Sequence, residues 1–213
     1  NWDFIREAFD EKRMFVASIH NCAIGFLTWH NSTDLTIKID ICEVKPTHRK
    51  QGVLKELMLY AFSTFEDQGI QAVELQCAPA SSEVVWKKLG FMDFPATNGR
   101  TNWDGGNKRL YKTVFPSSEF FSGNPDAETI ELWNDEPHRT QHTPANWHWK
   151  LDFIENTRQL RNPIIHPCLG DWKIRWKRGG TVIKEDKAKY FLKNIVHGNF
   201  LILRSLPLRT DAD

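Results

Sequence analysis

Residues 13–115 switch between two hydrophobic periods. Met14 to His20 and Ala23 to His30 are short β-rich runs, and the His20-Asn21 step between them predicts a hairpin. Leu35 to Val44 alternates with period two, which puts Ile37, Ile39 and Ile41 on one face and Lys38, Asp40 and Cys42 on the other. Over residues 52–67 the period lengthens to that of a helix: Leu54, Leu57, Met58, Ala61, Phe62 and Phe65 form one stripe, and Gly69 supplies a C-cap. Ala72 to Cys77 reads as a strand, Ser81 to Leu89 as a helix ended by Gly90, and Arg109 to Phe115 as a last strand. This order predicts an α/β fold whose mixed, mostly antiparallel sheet has a right-handed parallel crossover near its centre.

The second half is β-rich, with strands predicted at Thr129–Trp133, Trp147–Phe153, Trp172–Lys177, Thr181–Lys184 and Phe200–Leu206. Arg178-Gly179-Gly180 turns the third of these back onto the fourth. Asp186 is placed to cap a short helix running to Leu192. No internal repeat or low-complexity tract is present. The chain therefore reads as a first domain over 1–115 and a second, β-rich α+β domain over 116–213, joined by a linker near Pro116–Pro125.

Charge changes the picture only locally. Lys and Arg number 28 against 27 Asp and Glu, a formal +1, which excludes a globally basic nucleic-acid binder and an acidic mimic. Residues 119–136 nonetheless hold six acids and no Lys or Arg, whereas residues 171–193 hold eight bases and three acids. Trp147 and Trp149 share one strand face, as do Trp172 and Trp176, which fits either a stacked β core or an exposed aromatic platform. Beside Lys173, Arg175, Lys177 and Arg178 such a platform would take RNA; the acidic segment is the natural shield for the strip. His138, His142, His148 and His166 with Cys168 offer a possible zinc set, but Pro144 breaks the helix that a His-x3-His pair needs, and no metal is expected. No apolar run reaches the roughly 20 residues of a membrane helix, and the N-terminal residues do not form a signal peptide. Cys22, Cys42, Cys77 and Cys168 show no CxxC pair and read as reduced thiols, which points to the cytoplasm.

The chemistry concentrates between residues 44 and 54. Val44-Lys45-Pro46-Thr47-His48-Arg49-Lys50-Gln51-Gly52-Val53-Leu54 leads from the end of a strand straight into an amphipathic helix. Free N–H groups at a helix start, together with the helix dipole, make an anion site. Arg49 and Lys50 add charge, and Gly52 lets main chain approach a diphosphate. An ordinary βα loop with exposed basic side chains fits the same residues.

This run resembles the acyl-coenzyme A motif of the GNAT acetyltransferases, V-x-P-x-x-R-x-x-G-x-G/A, and is similar to the loop of their enhanced-intracellular-survival branch. Val84-Val85-Trp86-Lys87-Lys88-Leu89-Gly90-Phe91 resembles the family's second signature, at a family-like spacing. The resemblance covers residues 13–115. It implies that main chain near Val44 pairs with the pantetheine arm of acetyl-CoA, that Arg49, Lys50, Gln51, Gly52, Val53 and Leu54 wrap the diphosphate, and that Leu35–Val44 and Ala72–Cys77 splay apart to admit the arm. Two positions depart from the pattern. Leu54 replaces a small residue and must turn into the core. Trp86 stands where many members carry a Tyr acid; an indole N–H only donates, so Trp86 is left to pack on the pantetheine. The family also carries a strand and two helices before the first strand seen here, so the first domain is expected either to lack them or to have its acceptor pocket completed by the second.

What this implies is transfer of an acetyl group from acetyl-CoA to a primary amine, by direct attack in a ternary complex. Asp40 and Glu43 are the carboxylates nearest the cradle and the candidate bases; the Val44 N–H is the candidate oxyanion donor. A small molecule or peptide supplies the amine, with RNA or protein at the Lys173–Arg178 strip as a further partner. The rival reading is a non-catalytic binding or sensor module on the same fold.

Overall fold

The computed structural model describes residues 2–96, 103–104, 107–121 and 127–208. The chain divides into two compact units, one formed by 1–94 with 102–115 and the other by 95–101 with 116–213. The expected linker near Pro116–Pro125 falls partly outside the described residues.

The first unit contains α1 (Trp2–Asp10), β1 (Met14–Ile19), β2 (Cys22–Asn31), β3 (Thr36–Val44), α2 (Val53–Asp67), β4 (Ala72–Gln76), α3 (Glu83–Lys88), β5 (Met92–Asp93), β6 (Trp103–Asp104) and β7 (Asn107–Thr113). Its sheet runs in the order β1-β2-β3-β4-β7-β5, with β6 pairing β7. Among neighbouring strands only β3 and β4, joined by α2, pair in parallel. His20 and Asn21 both take positive φ, at 48° and 62°, and Ile19 pairs with Cys22, so the predicted hairpin closes in a two-residue turn whose twist suits the strands. Helix α2 ends at Gly69 (φ 74°), where Gly69 N–H reaches Glu66 O and Ile70 N–H reaches Phe65 O, both at 2.9 Å. One face of the sheet buries Leu27, Trp29, Ile37, Ile39, Val73 and Leu75 against Met58, Ala61 and Phe65 of α2 and Trp86 of α3.

Helix α1 is absent from the sequence prediction although Trp2, Phe4, Ile5, Ala8 and Phe9 make it amphipathic. It is tied to the sheet through Arg13, whose N–H reaches Ala8 O at 2.7 Å and whose guanidinium donates to Trp29 O at 2.8 Å.

The second unit contains β8 (Thr129–Leu132), β9 (Trp147–Lys150), β10 (Gln159–Pro167), β11 (Lys173–Arg178), β12 (Thr181–Lys187), α4 (Ala188–Phe191), β13 (Val196–His197) and β14 (Phe200–Ser205). They form a four-stranded sheet, β12-β11-β8-β9, and a three-stranded one, β10-β14-β13. Side chains from both, among them Ile130, Trp149, Ile174, Trp176, Ile164 and Leu203, make a single core. Gly179 and Gly180 hold φ of 54° and 77° between the paired Arg178 and Thr181, the turn the sequence predicts. Strand β10 is absent from that prediction because Pro163 and Pro167 interrupt its pattern, and its register against β14 slips between Gln159 and Ile164. The helix expected from Asp186 is shorter: β12 runs on to Lys187, whose N–H Asp186 accepts at 2.7 Å, and one turn follows.

The aromatic platform is excluded. Trp149, Trp172 and Trp176 are all at most 4% exposed, and Trp147 stacks on Trp172 at 5.6 Å. The basic strip is already neutralised within its sheet. Lys173 pairs with Glu185, Arg175 with Glu131 and Glu185, Lys177 with Glu131, and Arg178 with Glu128. The acidic segment thus supplies the shield, and phosphate binding there would have to break these pairs. The histidines do not converge on a metal: among the described residues no group of three or more His, Cys, Asp or Glu could hold one. His166 instead lies in a box of Phe120, Trp147 and Trp149. All four cysteines are free. No helix among the described residues is long and apolar enough to cross a membrane.

Candidate active site

The parallel ladder between β3 and β4 is short. Thr36 to Ile39 pair with Ala72 to Leu75, and there the pairing stops, leaving residues 40–44 of β3 without a partner on that side. A bulge lies at this point. Thr28 of β2 faces Ile41, but the next residue, Trp29, faces Ile39, so Asp40 is an extra residue in β3. A bulge bends and twists its strand, and this one sits where the pairing of β3 with β4 ends, one residue before β4 itself ends at Gln76. It also resets the alternation: Cys42, not Ile41, joins Ile37 and Ile39 in packing on the core, against the strict period-two pattern expected of this strand.

Beyond the bulge the ladder with β2 continues through Lys45 N–H to Ile24 O at 2.8 Å. Antiparallel pairing alternates, so the N–H and C=O of Val44 turn away from β2 and into the wedge between β3 and β4. Gly25 makes room for this strand end. A Cβ there would stand 3.0 Å from Glu43 O and 3.3 Å from side-chain carbons of Val44 and Val53. A glycine inside an otherwise apolar strand is the signal that could have singled it out.

The loop from Lys45 turns through a 3-10 segment at Pro46–His48 and reaches α2 through Lys50 (φ 62°) and Gly52 (φ 84°). Gln51 donates to Thr47 O at 3.0 Å and holds the turn. Gly52 is the N-cap of α2 and no side chain caps the helix; its first turn closes with Glu56 N–H on Gly52 O at 3.1 Å. The N–H groups of Val53, Leu54 and Lys55 therefore have no helical acceptor. Nothing lies within 4 Å of where a Gly52 Cβ would stand, so the space before these donors is open, and it is the left-handed backbone that demands glycine. Lys45, Arg49, Lys50 and Lys55 are exposed around this opening. Arg49 donates from Nε to Val44 O at 2.9 Å and lies 3.6 Å from Glu43. Leu54 turns into the core, as its departure from the motif requires.

These residues fit a coenzyme A molecule: an uncapped helix start with four surrounding cations for the diphosphate, and an outward-turned strand end for the amide-bearing arm. Trp86 is 7% exposed and packs edge-on against Phe91 at 5.4 Å, so its indole is built into the core. Burial pushes the Cys42 thiol up to about 12 and raises that of Cys77, so neither is an activated nucleophile.

The two candidate carboxylates differ. The Glu43 side chain is 61% exposed with Arg49 beside it. Asp40 instead has both carboxylate oxygens 2.9 Å from Nδ1 of His30, a residue the sequence pattern leaves as a mere strand end.

A strand end, a basic loop and an uncapped helix start thus follow one another beside a short parallel ladder. Residues 1–91, which run from α1 to the start of β5 in the first unit, match the family described as Acetyltransferase (GNAT) family. The similar solved structures include Ard1 from Thermoplasma volcanium, at 21% identity and TM-score 0.45, covering 54% of this chain and 78% of that one. Tetrahymena GCN5 is similar at 13% identity and TM-score 0.46, with 56% and 80% covered. An aminoglycoside 6'-N-acetyltransferase complexed with coenzyme A is similar at 16% identity and TM-score 0.43, with 54% and 80% covered. No curated protein matches the chain.

Proposed function

We propose that the first unit transfers an acetyl group from acetyl-CoA to a primary amine, by direct attack while both substrates are bound. The observation that carries this reading is the strand end 40–44, left unpaired by β4 after Ile39, next to the uncapped start of α2. The amides of Val53, Leu54 and Lys55, with Arg49 and Lys50, would hold the diphosphate, and Gln51 would fix the loop that presents them. The Val44 N–H, turned into the wedge, would donate to the thioester oxygen as charge develops there. Direct attack is supported by the raised thiols of Cys42 and Cys77, which leave the wedge without a nucleophile for a covalent route. A buried Trp86 supplies no acid, and a thiolate leaves without one.

Acetyl-CoA at about 100 times its Kd should stabilise the protein by about 2.7 kcal/mol, read as a rise in melting temperature. Thiol release should follow on adding amines from a panel containing a diamine, an aminoglycoside and a lysine peptide. A melting shift without thiol release from any amine would favour the binding or sensor module instead. No shift at all would remove coenzyme A from the account.

A further inference from the structure

His30 of β2 and Asp40 of β3 form a hydrogen-bonded pair across the two strands. Asp40 is the inserted residue of the bulge and the first residue of β3 past its last pair with β4. His30 reaches it from β2, with Nδ1 at 2.9 Å from both Oδ1 and Oδ2. The two residues keep 43% and 22% side-chain exposure. Among the described residues Nε2 of His30 has no hydrogen-bond partner. A carboxylate that accepts from Nδ1–H fixes the tautomer whose free lone pair is on Nε2, and it stabilises the imidazolium once a proton arrives there.

We infer that His30 is the proton acceptor for the incoming amine and that Asp40 is its positioning residue; this rests on the acyl-transfer reading above. In the step, Nε2 takes a proton from the ammonium, and the N–H electron pair stays on nitrogen. That pair forms the C–N bond to the acetyl carbon. The C–S bond breaks with its electrons going to sulfur, the thiolate takes the second amine proton, and the imidazolium returns its own to water. The charged groups around His30 are Lys38, its cross-strand partner on β3; Glu74 of β4, which faces Lys38 and is held by Arg109; and Arg13, bonded to the neighbouring Trp29 carbonyl.

The test compares wild type, His30→Ala and Asp40→Asn in the amine-panel assay from pH 6 to 9, with the acetyl-CoA melting shift recorded for each. Both variants should keep the melting shift and lose about 100-fold in kcat at pH 7. The deficit of His30→Ala should shrink towards pH 9, where water deprotonates the amine, and Asp40→Asn should move the acid limb of the profile. Unchanged kcat and pH profile in His30→Ala overturn the inference. So does loss of its melting shift, which makes His30 structural, and so does a wild type that binds acetyl-CoA yet acylates no amine. A wild type with no melting shift overturns the coenzyme A reading itself.

Discussion

Single residues carry unequal information. Gly52, Arg49 and Lys50 are legible in the sequence because the anion site they build is local: a strand end, a turn and a helix start within eleven residues. Asp40 is legible as a carboxylate near that loop, but its bond to His30 is not, because the pair is brought together by the register of β2 on β3 and not by spacing along the chain. His166 shows the same limit in the second unit. Its Nδ1–H donates to Pro167 O at 2.7 Å, and burial among aromatic rings lowers its pKa to about 4. An unfolded His binds a proton below about 6.5, while this one resists until about 4. Between those values the unfolded state holds more protons, so stability falls as pH falls. Denaturant midpoints followed by tryptophan fluorescence should show about 2–3 kcal/mol lost between pH 7 and pH 4.5. His166→Gln should remove most of that slope; an equal slope in the variant would contradict the assignment.

At the scale of elements, hydrophobic period locates β1 to β4, α2, α3 and β7 of the first unit but not α1 or the two-residue strands β5 and β6. What it does not give is where pairing stops. Strict alternation in Leu35–Val44 predicts one continuous face, whereas the inserted Asp40 shifts the phase and starts the wedge. Strand β10 escapes for the opposite reason, its prolines hiding a pairing that tertiary contacts impose. The bulge account makes a sharp prediction. Deleting Asp40 joins Ile39 directly to Ile41, opposite the already adjacent Trp29 and Thr28, so every other side chain keeps its face and the protein should fold. Without the bend, the melting shift with coenzyme A should vanish, while Asp40→Ala, which keeps the extra residue, should retain it. A shift in the deletion variant equal to that of wild type would show that the bulge does not open the wedge.

At the scale of the whole molecule, each unit has its own core, and the two differ in what their charges do. In the second unit acids and bases meet within one sheet. Burial pushes the Glu128 carboxyl up, but hydrogen bonds from Arg158, Arg178 and Trp176 outweigh it and hold the group below its usual range. In the first unit the cations around residues 45–55 surround open space before a helix start that nothing caps. Clustered charge along the sequence is the same raw signal in both places; pairing in three dimensions separates a strip matched by carboxylates from a loop where only Arg49 has an acidic neighbour, Glu43. Titration calorimetry of coenzyme A into wild type and Gly52→Asp tests the central claim most directly. Wild type should bind, pantetheine lacking the diphosphate should bind far more weakly, and Gly52→Asp should give no heat while keeping the wild-type circular dichroism. Equal affinity in the variant, or equal affinity for pantetheine, would contradict a diphosphate held at the start of α2.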